Sequence, residues 1–203
     1  WARSIWPAQQ HVPIYLAALG PKSLDLAARL ADGLLVADFA TIPFLEQLVP
    51  EMKTRIECNG RDPDAFHFYV RTGISVTDDS AAALRYRKTL MALLAPLPGM
   101  SRQIVHPDYD VAGIMNDIDA AMRTTETLEA GGNFIDLRSR ADFQAARDAI
   151  PDGLIENVSY IGTADAIRAK LGRLQEIGVT HVFLSAPERP EADLFTQQIQ
   201  ALT

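Results

Sequence analysis

The apolar positions of this chain fall into short blocks that alternate with periodic, mixed segments. Ile14–Leu19 is an unbroken apolar run, which predicts a strand buried on both faces. It meets Gly20-Pro21, after which leucines and alanines recur at helical spacing until Asp32-Gly33. Leu34–Ala37 predicts a second strand. Leu45, Leu48, Met52 and Ile56 predict a helix over about 43–57, with a kink or break at Pro50 and a stop at Asn59-Gly60. Phe66–Val76, rich in aromatic and β-branched residues, predicts one long strand.

Asp79-Ser80 predicts the cap of a helix running to about Leu94, broken at Pro96-Leu-Pro-Gly99. The stretch 101–150 has a weaker period. It predicts two helices, at about 111–129 and 142–149, split by Gly131-Gly132, and then a turn at Ile150-Pro-Asp-Gly153. Thr163 predicts the cap of an amphipathic helix carrying Ile167, Leu171, Leu174 and Ile177, with Gly178 as its stop. Val179–Leu184 predicts a last buried strand, and a final helix covers about 191–202.

Strands alternating with helices indicate an α/β fold with parallel βαβ units, interrupted by a helical insert at about 95–150. Four strands suit a small open sheet or half of an eight-stranded barrel, with function at the strands' C-terminal ends in either case. At 203 residues the chain has room for a single domain with a sizeable core.

Composition narrows the function classes. A net charge of −7 argues against nucleic acid or an anionic membrane surface as the main partner. No segment approaches the roughly 18 apolar residues that span a bilayer. The single cysteine, Cys58, leaves no internal disulfide and suits a reducing compartment, so a cytoplasmic location is expected. The opening Trp1-Ala-Arg-Ser-Ile-Trp6 lacks both an initiator methionine and the features of a signal peptide. It reads as the middle of something longer.

The chemistry concentrates at Leu19-Gly20-Pro21-Lys22-Ser23. A strand–turn–helix step aims free N–H groups at whatever lies above the strand, and a helix N-terminus carries about half a positive elementary charge. Gly20 permits close approach and Pro21 suits the first helical position, so the turn fits a phosphate or carboxylate. An ordinary βα connection reads the same way. Asp38, at the end of the second strand, is a candidate substrate contact or a loop carboxylate. His67 and Arg71, four residues apart on one strand, share a face, where Arg71 is a candidate for holding an anionic substrate. His181 near the start of its strand and the Asp32-Gly33 turn read as structural. His11 and His106 carry no pattern, and no two histidines show metal spacing with a third partner, so no metal is expected. No GxGxxG, P-loop or Gly-x-Ser-x-Gly is present.

The segment Pro13-Ile-Tyr-Leu-Ala-Ala-Leu-Gly-Pro-Lys-Ser-Leu through Ala31-Asp-Gly33 resembles the cofactor turn of the luciferase-like monooxygenases. Its Gly-Pro-Lys form is most similar to the branch that uses the deazaflavin coenzyme F420, the methylenetetrahydromethanopterin reductase-like proteins. Val76-Thr-Asp-Asp-Ser-Ala-Ala-Ala-Leu84, Ile150-Pro-Asp-Gly-Leu-Ile155, Ile161-Gly-Thr-Ala-Asp-Ala-Ile167 and Glu176–Leu184 resemble later family segments in the same order. The resemblance implies a (β/α)8 barrel of which this chain supplies about the C-terminal half. It implies that Leu19, Gly20, Pro21, Lys22 and Ser23 line the phosphate and ribityl part of coenzyme F420, or of FMN as the alternative. It implies an oxidoreductase acting by hydride transfer on a small-molecule substrate, with catalytic residues in an absent half. The alternative is a shortened, non-catalytic ligand-binding or scaffold protein that pairs its open edge with a second copy. The Val179–Leu184 edge, with no acidic or proline guard, favours that alternative.

Overall fold

The computed structural model describes residues 12–184 and 192–202. Its centre is a parallel sheet of β1 (Tyr15–Ala17), β2 (Gly33–Val36), β3 (His67–Thr72) and β6 (His181–Leu184), in the order β1-β2-β3-β6. These are the four strands that the apolar blocks predict, but β1 and β6, expected to be buried, are exposed on one face. A second, two-stranded parallel pair joins β4 (Ile74–Val76) to β5 (Tyr160–Gly162). The long strand expected over 66–76 is therefore divided at Gly73 between two sheets, and β5 was not expected. At Gly73 the guanidinium of Arg87 lies 3.4 Å from where a Cβ would stand, so the chain turns against a buried side chain.

The register explains the burial. Leu16, Leu34 and Phe68 lie side by side, as do Val36, Val70 and Val182, and both rows face the helices. Helices α1 (Pro21–Leu30), α2 (Ile42–Cys58) and α9 (Ala164–Ile177) cover that face through Leu24, Ala27, Leu45, Leu48, Met52, Ile56, Ile167 and Leu174. The opposite rows, Tyr15–Gly33–His67, Ala17–Leu35–Tyr69–His181 and Arg71–Phe183, face away from every helix of this core. On that face Tyr15 is 39% and Phe183 54% exposed.

Local signals set most helix ends. Pro21 opens α1, and Arg61 closes it by donating to the carbonyls of Ala28 (2.9 Å) and Ala31 (2.6 Å). Thr41 caps α2. Thr163 caps α9, and Gly178, at φ 103°, ends it. Helix α2 runs unbroken through Pro50, where a kink or a break is expected. Pro50 is exposed, while Leu45, Leu48, Val49, Met52 and Ile56 anchor the helix on both sides of it. At α3 (Ala81–Leu94) it is Asp79, through its carboxylate, that accepts the first free N–H, while the Ser80 side chain caps nothing.

The insert holds more helices than its weak period predicts. In place of one helix over 111–129 there are α4 (Val111–Met122) and α5 (Thr124–Glu129), parted at Arg123, whose φ of 55° is left-handed. Helix α6 (Phe134–Arg140) starts from an Asn133–Asp136 capping box. Helix α7 (Phe143–Asp148) matches expectation, and the turn expected at 150–153 is the start of α8 (Asp152–Asn157). Together with α3 they enclose a second core of Met91, Ile118, Met122, Leu137, Ala146, Leu154 and Ile155. Helix α10 (Ala192–Gln200) packs on β4. No helix of the described residues is long and apolar enough to cross a membrane.

Candidate functional site

The C-terminal ends of β1, β2 and β3 lie at one end of the sheet, and the residues that follow them bring the candidate chemistry together. After β1 the chain enters α1 through Gly20, whose backbone is extended at φ −87° and ψ 153° and supplies no side-chain cap. The first main-chain acceptor–donor closure is Leu24 N–H to Gly20 O at 2.9 Å. The amides of Lys22 and Ser23 therefore precede the helical ladder and point outward, and Pro21 has none to offer. Ser23 Oγ donates to Gly20 O at 2.9 Å, which holds the hydroxyl at the turn with its lone pairs turned outward. Lys22 is exposed and Leu19 half-buried.

The sequence reading missed Arg102. It lies on a single 3-10 turn, Met100–Gln103, in the stretch of weak period. Its Nη1 stands 3.6 Å from the position a Gly20 Cβ would take, beside Ser23 Oγ at the same 3.6 Å. The next residue pins it there. Gln103 is 1% exposed, donates from Nε2 to the Asp38 carbonyl at 2.6 Å and accepts at its own carbonyl from Thr41 N–H at 3.0 Å. Thr41 Oγ1 in turn accepts from Val105 N–H at 3.0 Å. The 100–105 segment thus spans from the end of β2 to the turn after β1. Gln103 Oε1 has no partner among the described residues.

Asp38 is buried, and both its carboxylate oxygens accept from Arg87 of α3, at 2.7 and 2.8 Å. Arg87 also donates to Val158 O at 3.2 Å and to Ser159 Oγ at 3.3 Å, and its guanidinium lies 4.4 Å from the ring centroid of Phe39. The fork takes one lone pair of each carboxylate oxygen, and Phe39 N–H donates to Oδ1 as well, at 3.1 Å. Asp38 therefore sits in the molecule as an anchor between the end of β2 and α3. Phe39, at φ 73°, adopts the left-handed conformation that a bulky residue rarely takes, and that turn drops its ring into the insert's core. Arg71 is exposed on the helix-free face of β3, one row beyond Tyr69 and beside Phe183. Asp32 ties Ile14 N–H to its carboxylate at 2.7 Å, in keeping with a structural role. Cys58 is exposed at the end of α2.

The Ser23 hydroxyl gives its proton to Gly20 O, so the donors open at the turn are the amides of Lys22 and Ser23 and the Lys22 and Arg102 cations. This set suits a phosphate, the group that the ribityl end of a flavin or deazaflavin carries. Among the described residues no cluster of three or more His, Cys, Asp or Glu side chains is placed to hold a metal ion.

The family model of the luciferase-like monooxygenases matches residues 2–181. The chain belongs to that family. A relative, the 5,10-methylenetetrahydromethanopterin reductase of Methanolobus tindarius, is 27% identical over 183 residues, covering 90% of this chain and 50% of its own length. Among solved structures, the coenzyme F420 dependent tetrahydromethanopterin reductase of Methanopyrus kandleri aligns with a TM-score of 0.63 and 24% identity. That alignment covers 95% of this luciferase-like chain and 51% of the reductase. An F420-dependent secondary alcohol dehydrogenase in complex with an F420-acetone adduct aligns with a TM-score of 0.60 and 19% identity, over 96% and 50% of the two chains. The likeness establishes the barrel type of fold, and this luciferase-like chain spans about half the length of the relatives it matches.

Proposed function

We propose that this chain forms the cofactor-phosphate half of a luciferase-like oxidoreductase that uses coenzyme F420, with FMN as the alternative. The observation that carries the reading is the convergence of Arg102 on the uncapped Gly20–Ser23 turn, at the strand ends where barrels of this type hold their ligands. The amides of Lys22 and Ser23 and the Lys22 and Arg102 cations hold the phosphate. Leu19 and Gly20 allow the ribityl chain to approach the backbone. When bound, the deazaflavin supplies hydride transfer to or from a small organic substrate, and the protein supplies position and shielding. Arg71 offers a cation to an anionic substrate on the inner face.

A second reading rests on the exposed inner face, where Tyr15 and Phe183 meet solvent and β1 and β6 have no further neighbour among the described residues. It holds that the chain binds ligand or a second copy without catalysing a reaction.

Titrating the protein with coenzyme F420 and then with FMN, followed by visible difference spectra and by mass in solution, separates these. Saturable micromolar binding of one cofactor supports the first reading and names the cofactor. A folded chain that binds neither, and that is a dimer in solution, supports the second.

A further inference from the structure

The inner face of the sheet carries a group of side chains that the cofactor reading does not use. Tyr15, His67, Tyr69 and His181 lie at the N-terminal ends of β1, β3 and β6, the end opposite the Gly20 turn. The two imidazoles are 114 positions apart in sequence, yet their ring centroids lie 5.1 Å apart. Tyr69 stacks on His181 at 4.3 Å and 12° and packs edge-on to Tyr15 at 4.8 Å.

Each imidazole is anchored through the same nitrogen. His67 Nδ1 is 3.1 Å from the Tyr15 hydroxyl. His181 Nδ1 is 2.9 Å from Thr180 Oγ1. Thr180 Oγ1 donates its only proton to Phe68 O at 3.1 Å and accepts from Phe68 N–H at 2.9 Å. The remaining contact must then be a donation from His181 Nδ1–H, which puts the ring's lone pair on Nε2. Both rings lie on the helix-free face, each with an oxygen partner at Nδ1, the kind of anchor by which proteins orient a metal-ligating imidazole.

We propose that His67 and His181 form a two-imidazole binding site for a first-row divalent ion that favours nitrogen ligands, zinc, nickel or copper, with water completing its coordination. Imidazole selects these ions over magnesium or calcium. The ion bridges β3 to β6, the strand that rejoins the sheet only after the whole helical insert, and so fastens the closure with the longest sequence separation in the sheet. The other described histidine does not compete. His106 accepts from Asp108 N–H at Nδ1 (3.2 Å) and meets Asn157 Nδ2 at Nε2 (3.0 Å). The proposal stands apart from the cofactor reading, since it uses none of the same residues.

The test is calorimetric titration of the tag-free protein with nickel(II), alongside copper(II) electron paramagnetic resonance. One ion per chain is expected, weakened at least tenfold by either H67Q or H181Q. Y15F, which removes only the anchor of His67, is expected to weaken binding less than H67Q does. The copper spectrum of the wild-type chain should show coupling to two imidazole nitrogens, a readout that needs no variant to fold. Equal binding by the H67Q/H181Q double variant, no binding by the wild type, or coupling to a single imidazole overturns the site.

Discussion

Arg87 and Asp38 face each other across 49 positions of sequence, joined by two hydrogen bonds of 2.7 and 2.8 Å, with side chains 5% and 10% exposed. This pair joins the two hydrophobic cores. Asp38 follows β2, Arg87 lies on α3, which packs against the insert in the second core, and the Phe39 ring lies under the guanidinium. The insert is thereby fixed to the strand ends, and with it Gln103 and Arg102.

Removing one partner leaves a buried charge without its counter-ion. Arg87→Ala or Asp38→Ala is expected to destabilise the fold by about 3–5 kcal/mol. Denaturant unfolding checks this. Joint replacement by apolar residues of similar volume should cost clearly less than the sum of the single changes. Equal and additive losses would show that no coupling exists.

Gly33 has no room for a side chain. A Cβ there would stand 2.5 Å from the His67 carbonyl oxygen and 2.5 Å from the Tyr15 ring. The ring has some freedom to turn, but the strand carbonyl has none. Gly33→Ala is expected to lower stability by about 1–3 kcal/mol, visible as a fall in the thermal midpoint.

Alkaline pH should loosen the chain through Tyr160. Burial pushes its phenol up to about 12, from the ordinary 10.0. A raised phenol favours the neutral, folded form, so its contribution is whole below pH 10 and is lost as pH climbs from 10 toward 12. The slope over that window is about 1.4 kcal/mol per pH unit at most. Tyr160→Phe should flatten it, measured by urea unfolding at a series of pH values.

Arg102 is exposed and its removal opens no cavity. Arg102→Ala should leave the thermal midpoint within about a degree and weaken binding of coenzyme F420 or FMN by about tenfold or more, the worth of a charge-assisted contact. Riboflavin, which lacks the phosphate, should bind the wild type and the variant alike. A riboflavin loss as large as the FMN loss would place Arg102 at the ring rather than at the phosphate.

The alternation of buried strands and amphipathic helices was legible in the sequence because each element announces itself over a few neighbouring residues. Ile14–Leu19, Thr163 and Gly178 carry period, cap and stop within their own segments. The Gly20 turn was legible for the same reason. The insert was not, because its helices are short and their ends are set by left-handed Arg123 and the Asn133 capping box rather than by a long apolar stripe. Arg87 left a trace, as a charge one turn before Met91 on the apolar side of α3. Arg102 left none.

What the sequence determined by itself was therefore the four strands of the central sheet, their parallel connection and the strand–turn–helix step at Gly20. These depend on local backbone preference and on hydrophobic period, which short-range chemistry dictates. What only the tertiary structure decided was which charges meet. Arg87 closes on Asp38, Arg102 comes to Gly20, and His67 comes to His181, because packing two cores against one sheet brings together residues that the chain holds far apart.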